Sequence, residues 1–405
     1  MELKGIILKT RESVRQSAAK MLCLKSISLK VINFIRVIEQ TLNTERLMQH
    51  KVKELNFGGQ NIYVGLDTHR NQTTVTVLGE NLHHKTFSQP TAADILARYL
   101  KKNFPGANYY AAYEAGFSGF WLQETLQSQG INCIVVNAAD VPTKGKERNQ
   151  KNDNVDSRKI AYALRKGDLD AIYVPSKECQ RDRGLLRARQ RIVSNQTRCR
   201  NRIKALLNFF GIVYPEKFSK SGTHWSRRFM DWLKSVDLGG SGNDTLAIYL
   251  EEAEFLRALL AKTMKKINHL SNQERYAKNV KLLISVPGVG RLIAMILLTE
   301  LERIDRFKTR DSLCNYVGLI PDVYSSDQTV HVGDITQRGN KSLKKFLIES
   351  SWIAARTDPA LVMKYNQLCS RMNGNKAIIR IARMLLSRIR YILMHEQEYQ
   401  MAVVA

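Results

Sequence analysis

The stretch Asn61–Gly79, NIYVGLDTHRNQTTVTVLG, sets the fold class. IYVGLD is an apolar, β-branched run of the length of one buried strand, TTVTVLG is a second, and the polar turn THRNQ between them makes a hairpin. The first strand ends on Asp67. Downstream, Thr91 to Asn103 has helical spacing at Ile95, Leu96, Tyr99 and Leu100, and Asn108 to Tyr113 reads as a strand that ends on Glu114. Phe117 to Gln129 reads as a second helix closed by Gly130, and Ile131 to Val136 as another apolar strand. A hairpin followed by alternating helices and strands predicts a mixed α/β sheet.

A basic loop, Lys144 to Lys151, then leads into KNDNVDSRKIA, which places Asp153 and Asp156 three residues apart at the opening of a helix. Residues at that spacing share a helical face. Two carboxylates side by side repel, so the pair is tolerated best where a cation or a metal lies between them. A plainer reading makes Asp153 an N-cap and Asp156 a first-turn acid that suits the helix dipole. Asp67 and Glu114 shift the balance, because carboxylates at strand ends of an α/β sheet lie where sites are usually built. Four acids in this order, in a chain this basic, point to a divalent-metal site.

The 405 residues carry 63 Lys+Arg against 37 Asp+Glu, a formal charge of +26, so the leading partner is a polyanion, nucleic acid first. With 44% hydrophobic residues the chain can bury a large core in two or three domains. The longest apolar run, Leu282 to Leu298, is broken by Pro287, Gly288, Gly290 and Arg291, so no membrane span is expected. Met1 to Gln16 lacks the apolar core of a secretory signal, and six scattered cysteines read as reduced thiols of a cytoplasmic protein. Within Met1 to Lys53, Leu24 to Leu42 could form a helix that lies on a partner, a membrane surface or the rest of the protein.

From Glu178 the pattern becomes helical, with Leu185, Ile192, Cys199 and Leu206 recurring every seven residues. A second register follows at Leu246, Ala253, Leu260 and Ile267, with Tyr249, Leu256 and Leu270 in its companion seam. Joined by the turn-rich Tyr214 to Asp244, the two arms predict an antiparallel coiled-coil hairpin or an arm that pairs with another subunit. The first arm is dense in arginine and nearly free of acids, which favours phosphate contact through Arg187, Arg191 and Arg198. In KLLISVPGVGRLIAMILLTEL, PGVG between two helical patterns is similar to a helix-hairpin-helix element, in which Gly288 and Gly290 would let backbone N–H groups reach a phosphate.

These pieces together resemble the DEDD transposases, the bridge-RNA-guided insertion-sequence recombinases with a RuvC-like domain. The resemblance is carried by YVGLDTH around Asp67, AAYEAGFSG around Glu114, KNDNVDSRKIA with Asp153 and Asp156, GDLDAIYVPS, and the later YVGLIP, YSS and GDITQRGNKSLKKFL, and it spans roughly Asn61 to Trp352. It implies an RNase H-like mixed sheet whose four acids bind two Mg²⁺ ions that grip a scissile phosphate. It also implies a serine nucleophile, which falls on Ser326 with Ser325 as the neighbouring alternative, and nucleic-acid contacts at Arg338 and Lys341. Where the family usually has glycine after the serine, this chain has Asp327.

The expected organisation is a basic extension over 1–57, a RuvC-like metal-binding domain over 58–177, a coiled-coil arm over 178–275 and a mostly helical C-terminal transposase domain over 276–405. The expected function is a DNA transposase, guided by an RNA, working as a homodimer or homotetramer at the nucleoid without a membrane. Two alternatives remain open on the residues: a RuvC-like nuclease that hydrolyses DNA junctions, and an inactive nucleic-acid-binding relative.

Overall fold

The computed structural model describes residues 56–142, 152–326 and 329–401. The expected N-terminal helix and the basic loop Lys144 to Lys151 lie outside them. The chain divides into two compact units between Val174 and Pro175.

In the first unit β1 (Asn61–Thr68), β2 (Gln72–Leu78) and β3 (His83–Pro90) form an antiparallel meander. After α1 (Ala93–Asn103), β4 (Asn108–Glu114) adds to β1 in parallel, and after α2 (Trp121–Ser128), β5 (Asn132–Val136) adds to β4, giving the order β3-β2-β1-β4-β5. The hairpin and the mixed sheet are as the sequence predicts, with two differences. β3 is an additional edge strand whose polar composition, HHKTFSQP, hides it, and α2 starts at Trp121 because residues 115–120 form a loop.

The two faces of the sheet are built differently. Ile62, Val64 and Leu66 of β1 pack with Leu96, Leu100, Leu122 and Leu126 of α1 and α2 in one apolar core. The alternate residues face α3 (Asp153–Lys166), where side chains are small. A Cβ on Gly65 would stand 2.0 Å from the Ser157 carbonyl oxygen and 2.4 Å from the Ala161 nitrogen, so α3 lies directly on the β1 backbone. Ser157 and Thr76 share a buried hydroxyl hydrogen bond of 2.9 Å that fixes the same contact from β2.

The second unit is helical with one hairpin. α4 (Lys177–Phe209), α5 (Arg227–Lys234) and α6 (Gly240–Ser271) are followed by α7 (Glu274–Ile284), α8 (Arg291–Leu301) and α9 (Arg310–Val317). The hairpin β6 (Pro321–Ser326) and β7 (Thr329–Ile335) then leads to α10 (Lys341–Thr357), α11 (Pro359–Cys369) and α12 (Gly374–His395). α8 is apolar all round, as RLIAMILLTEL requires of a central helix, and every residue from Ala294 to Leu301 is buried.

α4 and α6 pack on each other antiparallel: the Cys199 thiol donates to the Tyr249 carbonyl, Arg202 pairs with Glu252, and Leu186 shares a core with Ile267 and Leu270. On α6 the buried residues Leu246, Ala253, Leu256, Ile267 and Leu270 fall where the heptad pattern places them. On α4 the buried line is Leu186, Gln196, Cys199, Ile203 and Leu207, so Leu185 and Leu206 stand one residue off the seam that sequence periodicity assigns. Each seam is filled by the other within one chain.

Glu300, 3% exposed, ties α8 to two neighbours: it accepts from both Nε (2.9 Å) and an Nη (3.0 Å) of Arg187 and from Asn340 Nδ2 (2.9 Å), the cap of α10. Replacing one partner of such a pair strands the others, so Glu300→Gln is expected to lower stability by about 3 kcal/mol, read as a shift of the urea midpoint at unchanged slope. A midpoint within error of the parent would show that water substitutes for the carboxylate.

Candidate metal centre and nucleic-acid surface

Asp67 and Glu114 both face α3. Gly65 and Ala112 pair across the parallel strands, and each acid lies two residues further along on the same side of the sheet. Ala112 packs with Ile160 of α3, which confirms the face. α3 runs so that its first turn lies over the carboxyl ends of β1 and β4, and this brings Asp153 to Asp67.

The third member of the cluster is His69, which sequence reasoning passed over. Its Nε2 lies 3.5 Å from Asp67 Oδ2 and 3.4 Å from Asp153 Oδ2, and the candidate ligand atoms of all three residues lie within 4.8 Å of one another. The turn holding His69 is fixed by its own N–H donating to the Gln72 carbonyl (2.9 Å) and by the Thr91 hydroxyl donating to the His69 carbonyl (2.7 Å). His69 stands inside the motif YVGLDTH, two residues past the strand-end acid, so an Asp-x-His at a strand terminus was the available signal.

Among the described residues, Glu114 and Asp156 stand outside that close cluster. Asp156 pairs with Lys159 at 3.1 Å. The N-cap of α3 is Asn152, whose side chain accepts from the Asn154 N–H, so Asp153 is not the cap and its carboxylate faces His69 instead. Two carboxylates and an imidazole are a donor set that fits a divalent cation; the oxygens suit Mg²⁺ and the nitrogen extends the range to Mn²⁺.

The loop after Glu114 is held to the same edge. Ser118 Oγ donates to Thr68 Oγ1 (3.1 Å), and the buried Tyr113 hydroxyl donates to the Gly119 carbonyl (2.9 Å) while accepting from the Gln123 N–H (3.3 Å). Burial raises the Tyr113 pKa, which favours the protonated phenol that donates here. Phe117 in this loop is 69% exposed, and Trp121 at its end is 46% exposed.

In the second unit Ser326 is the last residue of β6 and pairs with Thr329; Asp327 lies outside the described residues. The hairpin leads through Arg338 to Lys341, the first residue of α10. Lys344, one turn on, donates to the Thr336 carbonyl at 2.6 Å, and burial followed by the charge of Lys341 pushes its pKa down. Gly288 has φ +80°, and a Cβ there would meet the Ser350 carbonyl at 2.4 Å, so its glycine is demanded by packing on α10. Gly290 caps α8 and is exposed. Of the three arm arginines, Arg187 is engaged by Glu300, Arg198 donates to Asn195 at 2.9 Å, and Arg191 is exposed. Among the described residues no helix is long and apolar enough to cross a membrane.

Residues 64–212 match the DEDD transposase domain, described as "Transposase", and residues 280–366 match the "Transposase IS116/IS110/IS902 family". The chain is 28% identical to the putative transposase y4qE of Sinorhizobium fredii over 72% of this chain and 71% of the relative. It is 26% identical to the putative transposase y4rJ of the same organism over 80% and 90%. The transposase for insertion sequence element IS1111A of Coxiella burnetii is 23% identical over 70% and 77%. With both family domains present in order, the chain belongs to the IS110/IS116 family of transposases.

Proposed function

We propose that this transposase cuts and rejoins DNA strands at the carboxyl edge of its sheet, a RuvC-like, RNase H-like domain in which Asp67 and Asp153, with Glu114 and Asp156 beside them, hold Mg²⁺, two ions for four carboxylates. The observation that carries this reading is the convergence of Asp67, His69 and Asp153 from two separate elements onto one point of a strongly basic protein. Bound there, the metal supplies Lewis-acid polarisation of a phosphoryl oxygen and charge neutralisation. His69 would add its ring nitrogen to the two carboxylates as a third ligand, and Phe117 offers a face on which an unstacked base beside the cut can lie. Ser326 is the nucleophile: its Oγ bonds to phosphorus, one P–O bond of the strand breaks, and the freed DNA oxygen takes up a proton as the hydroxyl gives one up. The phosphodiester energy is then kept in a serine–DNA link and rejoining needs no ATP.

The antiparallel helix pair is read as a coiled-coil arm for nucleic acid, with Arg191 and Arg198, and with Arg338 and Lys341 of the C-terminal domain, on phosphates. The excess positive charge suits a guide RNA as well as DNA. Exchange of two DNA ends needs two sets of reacting groups, so a dimer or tetramer is the working unit.

Incubation with labelled DNA and Mg²⁺, followed by denaturing gels and peptide mapping, tests the assignment. The expected product is a covalent adduct on Ser326, lost in Ser326→Ala. An adduct that persists in that variant moves the assignment to Ser325, and cut ends without any adduct make the protein a hydrolytic nuclease.

A further inference from the structure

A cavity of about 280 Å³ opens between α4, α5 and α6, lined by Gln196, Arg200, Trp225, Arg227, Lys234 and Arg257 with the acids Asp231 and Glu254. The charges do not cancel. Glu254 is taken by Lys234 at 2.7 Å, while among the described residues Arg200, Arg227 and Arg257 pair with no carboxylate. Arg200 is half-buried, and burial first, then the nearby Arg257, push its pKa below the ordinary guanidinium value. Two like charges lining one cavity repel and cost stability.

The cavity wall is also built with strain. Trp225 has φ 68°, a left-handed backbone that a bulky residue rarely adopts, and this conformation sets its ring against Arg200, 5.2 Å from the guanidinium carbon to the ring centroid. Such strain persists where surrounding structure imposes it, and it collects at binding sites. Here the indole also meets Phe229 of the arm core in a T-shaped contact, ring centroids 5.5 Å apart, so Arg200 lies against an anchored neighbour while it lines the cavity beside other cationic residues.

We propose that this cavity is a binding site for a phosphodiester group of a nucleic-acid strand, gripped by Arg200 and Arg257 with Arg227 at its rim. A guanidinium fork matches phosphate oxygens in pairs, and the bound anion would relieve the repulsion between the arginines. The site deepens the proposed function, since it presumes that the protein binds nucleic acid, and it lies apart in sequence from the carboxylates and from Ser326.

The test compares the full-length protein with Arg200→Gln/Arg257→Gln, Arg200→Lys/Arg257→Lys and the cleavage-null Asp153→Asn, each titrated with labelled single-stranded DNA, duplex DNA and single-stranded RNA of one sequence. The Gln pair is expected to weaken single-strand binding about 25-fold at 0.1 M salt and to flatten the plot of log affinity against log salt by about 0.7 for each phosphate no longer neutralised. The strand type showing the drop identifies the source of the phosphate. Asp153→Asn should bind like the parent, the Lys pair should recover most of the affinity, and the unfolding midpoint of the Gln pair should be no lower than the parent's, because a repulsion has been removed. Unchanged affinity and slope in the Gln pair, with a parent that binds, would overturn the site and leave the proposed function standing. A lowered midpoint, or no recovery in the Lys pair, would overturn it in favour of a packing role. A parent that binds none of the strands would remove both proposals together.

Discussion

Asp153→Asn is expected to abolish strand cleavage while leaving nucleic-acid affinity within about twofold of the parent, because one neutralised carboxylate removes a metal ligand and leaves a surface of +26 formal charge nearly untouched. If the lost charge stabilisation is about 4 kcal/mol, the rate falls about a thousandfold. Asp67→Asn should do the same, since the two carboxylates meet one point through His69 from β1 and α3. Residues that act as a unit are not additive, so the double variant should be no slower than either single one. Glu114→Gln and Asp156→Asn test the wider set: the structure places Glu114 on the same sheet face and Asp156 one turn along α3, beyond the close cluster. Cleavage at the parent rate by both Asp67→Asn and Asp153→Asn would remove the metal centre from the mechanism.

The acids were legible in the sequence because each stands where a change of hydrophobic period ends an element: Asp67 closes IYVGLD, Glu114 closes NYYAAYE, and Asp153 opens the helix after Asn152. Which of them meet was not legible, because that depends on how closely α3 approaches β1, and the permission for that approach is a missing side chain at Gly65. β3 was hidden for a related reason: an edge strand packed mainly through threonine and serine hydroxyls, Thr76 to Thr86 and Thr74 to Ser88, leaves no apolar alternation to read.

In the second unit the seven-residue period gave both long helices, and the pairing of α4 with α6 follows from it. The period could not reveal that Gln196 and Thr263 are buried polar residues of the two helices, nor that Arg187 pairs with Glu300. A charge count assigns all the arginines of α4 to one cationic face. The structure separates them into Arg183, which donates to the Thr299 carbonyl, carboxylate partners such as Arg187 and Arg202, and Arg200 beside Trp225, which among the described residues pairs with no carboxylate.

Gly65→Ala is expected to cost about 3 kcal/mol or more and to abolish cleavage, with the loss of activity outlasting any rescue of stability. An added methyl would stand 2.0 Å from the Ser157 oxygen and 2.4 Å from the Ala161 nitrogen, and both are backbone atoms of α3 that no rotamer change can move. Overpacking of this kind costs roughly 1–3 kcal/mol where side chains yield, and more where a helix must lift. Lifting α3 by the ångström or so needed for ordinary packing breaks the Ser157–Thr76 hydrogen bond and carries Asp153 away from Asp67. A stabilising osmolyte should therefore restore the folded fraction but not the cleavage, which distinguishes displacement of the site from simple unfolding. Gly184 is the matched control: it lies exposed within α4, and a methyl placed there would have nothing within 4 Å, so Gly184→Ala should stabilise by about 0.5–1 kcal/mol through helix propensity alone. Urea unfolding and a cleavage assay on the two variants read both signs, and a Gly65→Ala protein as stable and active as the parent would mean that α3 does not rest on the β1 backbone.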